Sequence, residues 1–167
     1  MGSGDIRKSF LPQANGDAET LILGSMPGEE SLRQQRYYAH PQNAFWPIMG
    51  RLLGFDPAIP YEQRLETLAE RRIALWDVLA SCTRQGSMDS DIKDGRPNDF
   101  KALFANCPKL KRVICNGGTA FKLFAIHAEG VAPEGCRILK APSTSPAYAS
   151  MPFEAKLEAW KASLAAH

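Results

Sequence analysis

A chain of 167 residues with 44% hydrophobic content and charges of both signs is long enough for one domain whose core needs neither disulfides nor metal. A net charge of +2 permits nucleic acid as a partner without demanding it, and no stretch is long or apolar enough for a membrane span. The four cysteines, Cys82, Cys107, Cys115 and Cys136, include no C-x-x-C pair; this argues against zinc or iron–sulfur and predicts reduced core thiols in a cytoplasmic protein.

The N-terminus has no signal-peptide pattern, and residues 1–18 read as an extension of a single domain spanning 1–167. The first buried strand is "TLILG" (20–24), which runs into the glycine–proline turn of "SMPGEES". Gly28 in that turn permits a close backbone approach. Next comes "RYYAHPQNAFW" (36–46), with two tyrosines, a histidine, an asparagine, a phenylalanine and a tryptophan in eleven positions. Phe45, Ile48, Met49, Leu52 and Leu53 then follow the i, i+3, i+4, i+7, i+8 rule of an amphipathic helix, which Gly54 closes.

A second helix is predicted over 61–70 and a second strand over "RIALW" (72–76). Helices over 98–106 and 117–127 flank the strand "RVIC" (112–115), and Asn116 with Gly117 and Gly118 makes a tight strand-to-helix turn. The last strand is "RILKA" (137–141). A loop stiffened by Pro142 and Pro146 follows, then a C-terminal helix over 153–165. Strands alternating with helices predict an α/β three-layer sandwich with a central four-stranded, mainly parallel sheet flanked by helices. In such sheets ligands sit beyond the carboxyl ends of the strands. That places the site among the loops 25–42, 77–90, 116–119 and 142–149.

The blocks "GSMPGEESL", "YYAHPQNAFW", "LWDVLASCTRQGSMDSDI", "NGGTAF" and "APSTSPAYA", in this order over residues 20–160, resemble the hypoxanthine-DNA (deoxyinosine) glycosylase branch of the uracil-DNA glycosylase superfamily. "AHPQNAFW" is also similar to a stretch of the mismatch-specific uracil and thymine glycosylases. The resemblance implies a monofunctional DNA glycosylase that flips a deaminated base and hydrolyses its N-glycosidic bond. Hypoxanthine is the first expected substrate, with uracil or xanthine beside it. It also implies DNA as partner, neither metal nor other cofactor, no membrane, a monomer and a nucleoid-associated location.

Several relatives carry Asn or Asp at the third position of the first motif to handle the attacking water. Met26 stands there, and the resemblance shifts that duty to Asn43. Asn43 is equally placed to cap the helix that follows it. Ser25 and the backbone N–H groups of the turn 24–28 are expected to stabilise the departing anion, with Gly24 and Met26 beside the base. Tyr38 is expected to stack on the flipped base; Phe45 is the reserve, although its place on the helical stripe also suits the core. Asp77 either accepts a hydrogen bond from the base or organises its loop through Ser87 and Asp89. Ser143, Thr144 and Ser145 are expected to donate to phosphates, while Pro146 and Ala147 occupy the place of a larger wedge residue in relatives. Ala141 replaces a histidine found in some branches. A non-catalytic nucleotide or damaged-DNA binding module on the same fold is the alternative. A serine hydrolase built on Ser143 or Ser145 lacks the G-x-S-x-G elbow.

Overall fold

A computed structural model describes residues 6–166. Four parallel strands form the centre: β2 (Thr20–Gly24), β3 (Ile73–Asp77), β6 (Arg112–Asn116) and β7 (Arg137–Ala141), in the order β3-β2-β6-β7. Every residue of β2 and β3 is buried, as a sheet covered on both faces requires.

The period-two alternation divides the core. Leu21, Leu23, Trp76, Val113 and Cys115 face α4 (Phe100–Asn106) and α5 (Gly118–His127), where they meet Phe100, Phe104 and Phe124. Ile22, Leu75 and Ile114 face α2 (Phe45–Leu53), α3 (Tyr61–Glu70) and α6 (Phe153–Ala165), against Phe45, Ile48, Met49, Leu68 and Trp160. Truncating a fully buried aliphatic such as Ile22 or Ile114 to alanine costs about 2–5 kcal/mol.

Helix boundaries follow local chemistry. Gly54 ends α2 in the left-handed region (φ 81°), with its N–H on the Gly50 carbonyl. Asp99 caps α4 through Oδ1 to the Ala102 N–H at 3.1 Å, so this helix begins at Phe100 rather than at 98. The second strand begins at Ile73 because Arg72 has φ 62° and cannot join an extended ladder. It consequently ends on Asp77.

A second, antiparallel sheet was not anticipated. Its order is β1 (Ile6–Lys8), β4 (Leu79–Thr83), β5 (Lys93–Pro97). β4 lies inside the segment read as one loop, and the wholly exposed "KDGRP" of β5 shows no alternation. The short helix α1 (Glu29–Gln34) likewise sits in the first loop.

The described part of the expected extension, residues 6–18, is built into the fold. Beyond β1, Gln13 exchanges two backbone hydrogen bonds with Leu75 (2.9 and 3.0 Å), covering the outer edge of β3. Trp76 Nε1 donates to the Phe10 carbonyl, and Ala18 is buried. Residues 1–5 of that expectation lie outside the described residues.

Candidate active site at the carboxyl ends of the parallel strands

A cavity of about 730 Å³ opens where β2, β3, β6 and β7 end. It is lined by Gly24, Ser25, Met26, Tyr38, Asn43, Asp77, Ser143, Thr144, Ser145, Pro146 and Ala147, so eleven of the twelve expected residues are brought together. Phe45 is the exception. It is completely buried and lies behind Tyr38, so the reserve role of stacking directly on a base is withdrawn.

Asp77 closes β3 at the cavity floor with 3% of its surface exposed, and its Oδ2 is buried without a hydrogen-bond partner. Burial pushes its carboxyl up to about 7; the nearby Arg84 guanidinium opposes the rise and the Asp89 charge adds to it. Among the described residues the Asp77 carboxyl makes no hydrogen bond to Ser87 or Asp89; its backbone carbonyl accepts from Asn98 Nδ2 at 2.7 Å. Ser25 Oγ donates to Asp89 Oδ1 at 2.6 Å, and Ser87 Oγ accepts from the Glu29 N–H at 2.8 Å. The loop-organising alternative therefore passes to Ser25, whose hydroxyl proton is already committed to Asp89.

Gly24 is required by closeness. A Cβ there would lie 2.5 Å from Asp77 Oδ1 and 3.5 Å from the Tyr38 hydroxyl. Behind the turn, the buried Arg84 donates from Nη2 to the Pro27 carbonyl, while its Nε and Nη1 have no partner. Met26 packs against Leu79 and Cys82.

Tyr38 adopts φ 56°, a strained conformation for a bulky residue, on the order of 1–3 kcal/mol. Its neighbours hold it there. The Tyr37 N–H donates to the Tyr61 hydroxyl at 2.9 Å, the Tyr37 carbonyl accepts from Trp46 Nε1 at 3.0 Å, and the Ala39 N–H donates to Ser31 Oγ at 3.1 Å. The Tyr38 ring stacks on Phe45 with centroids 4.0 Å apart and planes 23° apart. Its hydroxyl is buried with no partner at good hydrogen-bond geometry; burial and the Asp77 charge raise its pKa, and the nearby Asn116 amide opposes the rise. Tyr37 is a core residue, bonded through its hydroxyl to the Leu11 carbonyl.

Asn43 is half-buried on the cavity wall, and its Oδ1 accepts from the Phe45 N–H at 2.9 Å at the start of α2. The carbonyl oxygen retains a second lone pair. Thr144 is a tie rather than a phosphate donor. It is 1% exposed, and its hydroxyl and N–H bond to Asn116 Nδ2 (3.0 Å) and Oδ1 (2.9 Å), while its carbonyl accepts from the Ala44 N–H. This fastens the end of β6 to the start of α2, the structural part expected of Asn116. Trp160 Nε1 holds the same loop through the Pro142 carbonyl.

Ser143 and Ser145 differ from Thr144 in being only partly buried. Their oxygens accept from the N–H groups of Ser145 and Ala147 at 3.2 Å, which leaves both hydroxyl protons for another acceptor. Pro146 and Ala147 are exposed at the mouth.

Sequence reasoning missed four residues of the rim: Met88, Lys122, Lys140 and Tyr148. Tyr148 is 38% exposed, and its carbonyl accepts from the buried Lys156 Nζ at 2.7 Å. Lys122 and Lys140 are isolated in sequence, and no local pattern marks either. Among the described residues, no group of three or more His, Cys, Asp or Glu is placed to hold a metal ion, and no helix is long and apolar enough to cross a membrane.

Strand order and cavity place a ligand site at the carboxyl ends of the parallel strands, and comparison with known proteins gives the family. Residues 11–164 match the Uracil DNA glycosylase superfamily. A hypoxanthine DNA glycosylase of Methanosarcina barkeri (strain Fusaro / DSM 804) is 43% identical over 112 residues, 66% of this chain and 71% of that protein. One from Methanosarcina acetivorans is 42% identical over 116 residues, 69% and 73% of the two chains. A solution NMR structure of a candidate uracil DNA glycosylase from M. acetivorans superposes with a TM-score of 0.82 at 36% identity, covering 95% of this chain and 96% of that one. The chain belongs to the uracil DNA glycosylase superfamily. Its enzyme class is DNA glycosylase, a hydrolase acting on N-glycosyl bonds.

Proposed function

We propose that this glycosylase extrudes deaminated bases from DNA and releases them by water-mediated hydrolysis, with hypoxanthine as its first substrate and uracil or xanthine as further ones. The observation that carries this reading is the cavity floor, where a buried carboxyl oxygen of Asp77 has no protein partner. A lactam N–H of a flipped base supplies the missing donor. The names of the two Methanosarcina relatives favour the same base.

In the reaction the C1′–N bond breaks and its electron pair leaves with the base. Water oxygen bonds C1′, one water proton is lost, and the base is released protonated. Asn43 Oδ1, with its remaining lone pair, orients that water. The turn of residues 24–28 faces the departing base, and the unpaired positive charge of Arg84 behind it favours negative charge there. Gly24, Met26, Tyr38 and Asp77 border the base. Burial raises the Asp77 carboxyl to about 7, so its ionised form, the better acceptor for a ring N–H, gains population as pH rises through neutrality. Ser143 and Ser145, with Lys122 and Lys140 on the rim, take the phosphates, and Tyr148 beside Pro146 and Ala147 enters the vacated stack.

The test is single-turnover release from duplexes carrying hypoxanthine, uracil or xanthine against an undamaged control. Alkali-sensitive abasic sites at hypoxanthine support the reading; binding without any release overturns it. The latter outcome would favour a non-catalytic damage-binding module, the reading to which the bond between Asn43 Oδ1 and the Phe45 N–H lends weight.

A further inference from the structure

The two buried polar atoms without partners at the cavity floor, Tyr38 Oη and Asp77 Oδ2, belong to side chains that converge on one point. The space in front of Gly24 Cα is 3.5 Å from the Tyr38 hydroxyl and 2.5 Å from Asp77 Oδ1. A chain that keeps a glycine there, strains Tyr38 into the left-handed region and leaves both groups unsatisfied has built a recognition site, not a packing defect. One ring face of Tyr38 is covered by Phe45, and its hydroxyl is buried beside Gly24 and the Asp77 carboxyl.

We propose that Tyr38 and Asp77 together read the lactam edge created by deamination, the Tyr38 hydroxyl donating to the base carbonyl and Asp77 accepting from the adjacent ring N–H. The inference rests on the glycosylase reading above and gives Tyr38 an edge-reading role in place of base stacking. Deamination converts an amino group beside a ring nitrogen acceptor into a carbonyl beside a ring N–H. Hypoxanthine (O6, N1–H), uracil (O4, N3–H) and xanthine (O6, N1–H) all present that edge. Adenine and cytosine present its inverse, which sets a ring nitrogen lone pair against the Asp77 oxygen. The pair thereby defines a substrate class. Guanine and thymine share the lactam, so their rejection must come from other parts of the wall.

The discriminating variant is Tyr38→Phe, which keeps the ring on Phe45 and removes only the hydroxyl. Single-turnover rates are measured on hypoxanthine, on uracil and on unsubstituted purine, which lacks both the carbonyl and the adjacent ring N–H. We expect Tyr38→Phe to slow hypoxanthine and uracil release by a similar factor, about 10–100-fold, and to leave purine release within about twofold of wild type. Equal slowing of purine would overturn the proposal, as would a wild-type rate in Tyr38→Phe combined with a large loss in Tyr38→Leu, the pattern of a stacking ring. If the wild type releases no base, the glycosylase reading fails first. Equilibrium binding then decides the pair: wild type should prefer hypoxanthine-containing over purine-containing duplex, Tyr38→Phe should lose that preference, and an unchanged preference would overturn the pair.

Discussion

The two ends of the parallel sheet treat their polar groups in opposite ways. At the amino ends, Glu19 accepts from Arg72 at 2.7 Å and Lys111 at 3.3 Å, and Asp17 pairs with Lys109 at 2.8 Å. These bonds hold both carboxyls below their ordinary range. At the carboxyl ends, Asp77 is buried without a cation in bonding contact and is pushed upward, Tyr38 Oη has no partner, and Lys122 and Lys140 take part in none of the ion pairs among the described residues. One fold thus satisfies its charges at one end and withholds satisfaction at the other. Exposed pairs contribute little to stability, so the amino end can be altered cheaply. The carboxyl end is kept unsatisfied at a real energetic penalty, and that asymmetry marks where a ligand completes the structure.

The largest expected effect lies at the cavity wall. Asn43→Ala should slow single-turnover base release by about 10²–10⁴ while the lost Phe45 N–H contact costs only ~1 kcal/mol in thermal unfolding. A wild-type rate with that same loss of stability would return Asn43 to capping alone. Gly24→Ala comes next. Its Cβ would meet Asp77 Oδ1 at 2.5 Å, so the carboxyl or the turn must move. We expect release to fall by about 10²-fold or more, because small displacements at a reacting centre are this costly. Gly130→Ala, away from the cavity and with nothing within 4 Å of an added Cβ, is the control and should keep near-normal activity.

The contrast between the two ends also explains what the sequence made legible. β2 and β7 could be read without error because their apolar runs are bounded by turn residues, and α2, α3 and α6 because their stripes are long and regular. The cavity followed from topology: once the strands are parallel, their following loops must converge. What was hidden depended on tertiary contact. β5 contains Gly95 and Pro97 and is exposed throughout, so no local pattern marks it. Thr144 looked like its serine neighbours until Asn116 took both its polar groups. Phe45 and Tyr38 sit seven residues apart in an aromatic segment, and only the folded chain decides which faces the cavity.

Asp77 allows the contrast to be sharpened with pH. Its folded pKa of about 7 lies above the ordinary 3.8, so the native state holds the proton more tightly than the unfolded chain. Stability therefore falls as pH rises from about 3.8 to about 7 and levels off above, a contribution on the order of 4 kcal/mol. Asp77→Asn should remove that fall and be more stable than wild type above pH 7, as chemical denaturation at several pH values would report. Activity should move the other way. If the ionised carboxyl accepts the ring N–H, hypoxanthine release rises through pH 7 in the wild type, and the step disappears in Asp77→Asn. Burial sets that midpoint, with Arg84 lowering it and Asp89 raising it. A variant that loses the activity step but not the stability slope would separate the two roles.

The smallest effect tests the two ends against each other directly. Lys122 and Lys140 lie on the cavity rim, whereas Lys109 and Lys111 already serve Asp17 and Glu19. A cation that neutralises a phosphate releases a counterion, so each rim lysine replaced by alanine should weaken DNA binding on damaged and undamaged duplexes alike. It should also flatten the dependence of log K on log salt by about 0.9. Lys109→Ala and Lys111→Ala should leave that slope unchanged, because a lysine engaged with a carboxylate at the far end of the strands has no phosphate to meet. Equal slope changes at both ends would break the comparison, since the duplex would then have to cross the whole edge of the sheet instead of seating on the cavity mouth. Unequal changes would locate the phosphate track by charge alone, independently of which base the floor accepts.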